Sequence, residues 1–229
     1  MEGLMETMEK IKRSIDNGRQ FRSMVEFRAN EPKEDTDELI VEGYATTFND
    51  PYELYRYKDY EGVQRVFKEQ LDEHSFDECD MSDVIMQYDH NGRVFARTRN
   101  NTLTITPDEH GLLVRADLSK SAGGKDLYQD IKNKIIDRMS FAFTVNEDDT
   151  ETATEDGCLV MTRTIKRIGK LYDVSAVSIP ANDGTDISAR SYCDGVIAEL
   201  EEERSEKLQK ERKQKLIELE LMLGGNNGN

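Results

Sequence analysis

Histidine and cysteine are scarce in this 229-residue chain, three of each, and neither is arranged as a ligand set. Cys79, Cys158 and Cys193 are odd in number and scattered, with no CxxC pair, which excludes a disulfide framework and supplies no zinc site. They read as isolated reduced thiols. His74, His90 and His110 form no HExxH motif, so a metal-dependent hydrolase is the weakest enzymatic reading and no metal or cofactor is expected. Positive charge is short as well. Only 31 Lys+Arg stand against 47 Asp+Glu, a net charge of −16 and a pI near 4.7, and such a field repels phosphate backbones, so no nucleic-acid partner is expected. No apolar run approaches the roughly 20 residues of a membrane span, and the start lacks the basic and apolar regions of a signal peptide. A soluble intracellular protein without membrane contact is the expectation.

What remains is a chain of one ordinary domain plus flanking segments, long enough for a core that buries roughly 70% of its unfolded surface. Residues 1–18 read as a charged helical extension, with Leu4, Met8, Ile11 and Ile15 at helical spacing and Gly18 as a stop. The folded domain is expected over 19–191. A first strand is expected near Phe21 to Phe27, a core strand over 39–48, a tyrosine-rich surface loop over 52–62, a short strand at 63–67 and a helical segment over 68–80 carrying Leu71 and Phe76 inward. Leu127, Ile131, Ile135 and Ile136 predict an amphipathic helix over 125–137. A charged loop is expected over 146–157. Residues 192–229 read as a charged helix without sustained heptads, a solvated arm that ends in a disordered Gly/Asn tail.

Three places carry the chemistry. Met139-Ser140-Phe141-Ala142-Phe143 is a strand pattern in which Met139, Phe141, Phe143 and Val145 share one face while Ser140, Ala142 and Thr144 share the other. That second face is small and reads as open, with room for a substrate carbonyl beside the Ser140 hydroxyl, although a plain amphipathic strand with a filler serine is the better explanation of this stretch taken alone. His90 precedes Asn91-Gly92, a dipeptide suited to a type I′ hairpin between 84–90 and 93–98, so the imidazole is expected at a strand end. An exposed turn histidine is the alternative. In the strand 170–179, alternation puts Leu171, Asp173, Ser175 and Val177 on one face. There Asp173 either orients an imidazolium, accepts an ion pair from Arg167 or caps a loop.

In this order, Glu42-Gly43-Tyr44-Ala45-Thr46-Thr47-Phe48, Tyr88-Asp89-His90-Asn91-Gly92-Arg93, the run from Gly111 to Leu118, the serine strand, and Asp173-Val174-Ser175 through Asn182 followed by Ala189-Arg190-Ser191 resemble the prohead maturation proteases of tailed bacteriophages. That family is distantly similar to the herpesvirus assembly proteases. The resemblance implies an α+β fold, a mostly antiparallel β-barrel wrapped by helices. It implies a serine endopeptidase with Ser140 as nucleophile, His90 as general base and then acid, and Asp173 as third member. Herpesvirus relatives place a second histidine in that third role, and neither His74 nor His110 lies in a matching motif. Arg163 and Arg167 are candidates for oxyanion or substrate contacts. The order His, Ser, Asp and the lack of a Gly-x-Ser-x-Gly elbow set the chain apart from the chymotrypsin, subtilisin and α/β-hydrolase arrangements. By the same resemblance the substrates are the major capsid protein and scaffold segments, and the chain itself. Its place is the host cytoplasm inside an assembling procapsid, as a homodimer or higher oligomer. A non-catalytic capsid assembly or scaffolding protein on the same fold is the competing reading.

Overall fold

The computed structural model describes residues 19–24, 27–31, 37–59, 62–178 and 187–224. The expected N-terminal helix at 1–18 and the tail beyond Gly224 lie outside them. The chain divides into two compact units, residues 1–190 and 191–229.

In the first unit the strands are β1 (Gln20–Met24), β2 (Phe27–Ala29), β3 (Ile40–Thr47), β4 (Tyr52–Lys58), β5 (Gln64–Leu71), β6 (Ile85–Tyr88), β7 (Asn91–Arg97), β8 (Leu103–Pro107), β9 (Gly111–Asp117), β10 (Arg138–Glu155) and β11 (Cys158–Val177). Helix α1 (Gly124–Lys132) sits between β9 and β10. They form two sheets. One is seven-stranded, running β1-β10-β11-β5-β4 with β6 on β11 and β7 on β6, and the other is four-stranded, β2-β3-β9-β8. Most pairs are antiparallel, but β11 runs parallel to β5 along one part of its length and parallel to β6 along another. The expected barrel is therefore corrected: among the described residues the strands make two open sheets, and α1, two short 3₁₀ turns and the first residues of the C-terminal helix, rather than a helical wrap, accompany them in this unit.

One apolar cluster joins the sheets. Val41 and Ala45 of β3, Leu112, Val114 and Ala116 of β9, Met139, Phe141 and Phe143 of β10, and Val174 and Ala176 of β11 meet Leu127, Tyr128 and Ile131 of α1. Each comes from the inward face of its element, as period two for strands and 3.6 for the helix require. Gly124 opens α1 where its backbone crosses the turn at Leu118: a Cβ built there would lie 1.8 Å from the Leu118 carbonyl oxygen.

Several expected elements shift. The tyrosine-rich loop is the edge strand β4, whose Tyr57 stacks on Phe67 of β5 at 6.2 Å, so cross-strand aromatic packing outweighed the polar composition. The strand expected at 63–67 runs on to Leu71, and the helical segment expected after it is a string of turns that buries Phe76. The charged loop is the outer half of a long β10–β11 hairpin, closed at Asp156-Gly157 with φ of +47° and +78°. Helix α1 stops at Lys132 because Lys134 takes φ +58°, which leaves Ile135 70% exposed while Ile136 turns inward.

The described part of the second unit is helical: α2 (Ile187–Gly224) runs into it from the first, with Leu208, Leu216, Ile217 and Leu219 exposed. No helix among the described residues is long and apolar enough to cross a membrane.

Candidate active site

Strand β10 is the centre of the arrangement. It is flanked by β1 and β11, so that Ser140 lies opposite Ser23 on one side and Ser175 on the other. Residues paired across a ladder put their side chains on the same face, which gathers Ser140, Ala142, Asp173, Ser175 and Phe21 on one side of the sheet. The expected alternation of β10 is present: Met139, Phe141 and Phe143 point into the core. The other face, however, is not open. Ser140 is 1% exposed and Ala142 is fully buried, because β1 lies alongside and the ring of Phe21 meets that of His90 edge-on at 4.7 Å.

On β11 a bulge decides which side chains face Ser140. Ala142 pairs with Asp173 but Phe143 pairs with Leu171, so Tyr172 is an extra residue in the ladder. Simple alternation puts Leu171 and Asp173 together. The bulge instead sends Leu171 to the Phe143 side and into the core, and leaves Asp173 with Ser140. Asp173 is 5% exposed.

His90 arrives from the β6–β7 hairpin, and here the expected turn is displaced by two residues. Tyr88 pairs with Asn91, and the two central residues are Asp89 and His90, with φ of +47° and +54°. Both residue types tolerate the left-handed region better than most, so the type I′ chemistry sought at Asn91-Gly92 is supplied one dipeptide earlier. The imidazole therefore projects from the turn itself. The turn is tied to β11: the Asp89 amide donates to the Ala176 carbonyl at 2.9 Å. The Ser178 amide and hydroxyl donate to the Asp89 carboxylate at 2.8 and 2.9 Å.

The result is a continuous relay. Ser140 Oγ lies 2.7 Å from His90 Nε2, and His90 Nδ1 lies 2.6 Å from Asp173 Oδ1. A carboxylate only accepts, so Nδ1 carries the proton toward Asp173 and Nε2 is left to accept from the serine hydroxyl. Ser175 Oγ donates to the same Asp173 Oδ1 at 2.8 Å. Sequence reasoning missed Ser175 and Phe21. Their roles depend on strand register, and only the Asp-Val-Ser spacing on β11 hinted at the first.

The remaining sequence candidates go elsewhere. Arg163 is 5% exposed and is engaged by Asp148, by Gln20 Oε1 at 2.8 Å and by Glu69 Oε2 at 2.9 Å. Arg167 pairs with Glu147 and reaches Glu78 at 3.9 Å, so it is not the partner of Asp173. His74 lies by Asp77 at 3.2 Å on the surface, and His110 meets the Tyr44 ring edge-on at 4.6 Å. On the face of the sheet opposite the relay, where Arg22 pairs with Phe141, Arg22 of β1 and Glu69 of β5 form a fully buried ion pair that fixes β1 across the sheet. Burial pushes the Glu69 carboxyl up, but the Arg22 and Arg163 guanidiniums and the Tyr52 hydroxyl outweigh it and hold it below the usual carboxylate range. Among the described residues no group of three or more His, Cys, Asp or Glu side chains is placed to hold a metal ion.

The caudovirus prohead serine protease family matches residues 23–195 by its sequence profile. Among solved structures, the bacteriophage T4 capsid assembly protease gp21 is similar at 12% identity and a TM-score of 0.39, covering 71% of this chain and 98% of that one. No curated protein matches.

Proposed function

This chain belongs to the caudovirus prohead serine protease family, and we propose on that footing that it is an endopeptidase working through Ser140, His90 and Asp173 inside an assembling procapsid. The observation that carries the reading is the relay of 2.7 and 2.6 Å from hydroxyl to imidazole to carboxylate. In the proposed reaction Ser140 Oγ attacks the scissile carbonyl carbon while its proton passes to His90 Nε2. Asp173 stabilises the imidazolium, which then protonates the leaving amine as the C–N bond breaks. Water repeats the sequence on the acyl-enzyme and restores the serine. Each hydrogen-bond donor to the oxyanion contributes about 3 kcal/mol at the transition state, and the guanidinium of Arg163, engaged by carboxylates, is not assigned that role.

The substrates we propose are the scaffold or scaffold-like segment of the major capsid protein and the chain itself, with residues 1–18 and the charged helix beyond 190 as docking or self-cleaved extensions. Co-expression with the capsid protein tests this. Wild type should shorten the capsid band and Ser140→Ala should leave it full length, whereas a non-catalytic assembly protein gives the same capsid length with either. Self-processing is tested by intact mass: both ends unchanged after long incubation would remove that part.

A further inference from the structure

Ser175 is, among the described residues, a buried hydroxyl beside the relay that the reaction above does not use. It is fully buried, it lies directly across the β10–β11 ladder from Ser140, and its Oγ donates at 2.8 Å to Asp173 Oδ1. That same oxygen faces His90 Nδ1 at 2.6 Å. A carboxylate on a strand turns freely about its terminal bond unless its oxygens are held. We infer that Ser175 is a positioning residue for the proposed peptidase: its hydroxyl fixes the Asp173 carboxylate so that Oδ1 stays aimed at His90 Nδ1, which keeps the imidazole in the tautomer able to accept from Ser140. The inference rests on the functional reading above and adds a fourth member to it.

The geometry separates this role from mere filling of space. A serine that only satisfied itself would serve as well by donating to a backbone carbonyl, a frequent outcome for hydroxyls on strands. Here the proton goes to the oxygen that orients the imidazole, two residues along the same strand and on the same face. Asp173 is the charged group that faces His90 from β11. From β10 and β1 it meets Ser140 and Phe21, neither charged, while Asp89 beside it in the turn is engaged by Ser178. Removing the Ser175 donor leaves more of the carboxylate's negative charge directed at the ring, which favours the imidazolium.

The test is the rate at which the full-length protein is modified by a fluorophosphonate, read across pH. In that step Ser140 Oγ forms a bond to phosphorus, the P–F bond breaks, fluoride leaves and His90 takes the proton. Ser175→Ala should label about tenfold more slowly at its plateau, the order expected when one charge-assisted hydrogen bond is lost. The acid limb of its profile should move to higher pH, while Ser175→Thr, which keeps the hydroxyl, should keep the wild-type limb. Should Ser175→Ala fail to fold, Ser175→Cys keeps the size and donates only weakly, and carries the same comparison. A wild-type rate and limb in the folded alanine or cysteine variant overturns the inference. So does a rate that falls only together with thermal stability, with the limb unmoved. Labelling of Ser140→Ala as strong as wild type would instead sink the underlying peptidase reading, a separable outcome.

Discussion

Ser140, His90 and Asp173 act as one unit only if each removal is felt through the others. Ser140→Ala should lower turnover by about a millionfold, and Asp173→Asn, which keeps the shape but reverses the tautomer, by about 10⁴-fold. Steady-state cleavage of a capsid-derived peptide measures both, and equal activity in either variant contradicts the assignment. Cys79 offers a contrast away from the relay. Burial pushes its thiol up to about 11, so at pH 8 iodoacetamide should leave it unmodified in the folded protein and modify it in urea, as peptide mapping would read. At this scale the sequence carried a good deal: the serine strand, the histidine ahead of a turn and the acid on the last strand were each visible as local pattern. Ser175 and Phe21 were not, since a hydroxyl that donates two residues along its own strand and a ring that meets another edge-on are consequences of register. His90 was found with the wrong turn around it, because Asp89-His90 and Asn91-Gly92 both tolerate positive φ and only the Tyr88 and Asn91 pairing chooses between them.

Two features place these side chains at the level of elements: the bulge at Tyr172 on β11 and the anchoring of β1 by Arg22 and Glu69. The ion pair is fully buried, so breaking it is costlier than replacing it. Arg22→Met should destabilise by about 3–5 kcal/mol, and Arg22→Met with Glu69→Met by less than the single change, measured by chemical denaturation. Its pH signature follows from direction alone. The folded carboxyl sits below its ordinary value, so its stabilisation is complete above the unfolded value, near 4.3. It fades as pH falls from there through the lower folded value. Thermal midpoints of wild type should drop across that window, and those of Glu69→Gln should drop less. None of this was legible in sequence. Arg22, Glu69 and Arg163 stand far apart along the chain, and Arg163 read as a substrate contact because a lone arginine on a strand shows no sign of the carboxylates it will meet. The bulge escaped for a similar reason, since strict alternation is the default reading of a strand and an extra residue in the ladder is set by the partner strand.

As a whole molecule the chain pairs a two-sheet protease unit with a long charged helix whose Leu208, Leu216, Ile217 and Leu219 stay exposed. The family could be anticipated from motifs spread over most of the chain, whereas the barrel could not survive the register: β11 accepts β5 and β6 in parallel along one edge and the sheets stay open. Because the contacts separate at residue 190, a stop codon after Arg190 should leave the thermal midpoint of the protease unit within about 2–4 °C of wild type, the shift that about 1 kcal/mol produces in a domain of this size. A larger fall would mean that the helix supports the fold. For the central claim, the most direct measurement is mapping of the fluorophosphonate adduct on the full-length protein by mass spectrometry. The account predicts a single adduct on Ser140 that is abolished or slowed by orders of magnitude in His90→Ala. An adduct on another residue, or undiminished labelling without His90, would contradict it.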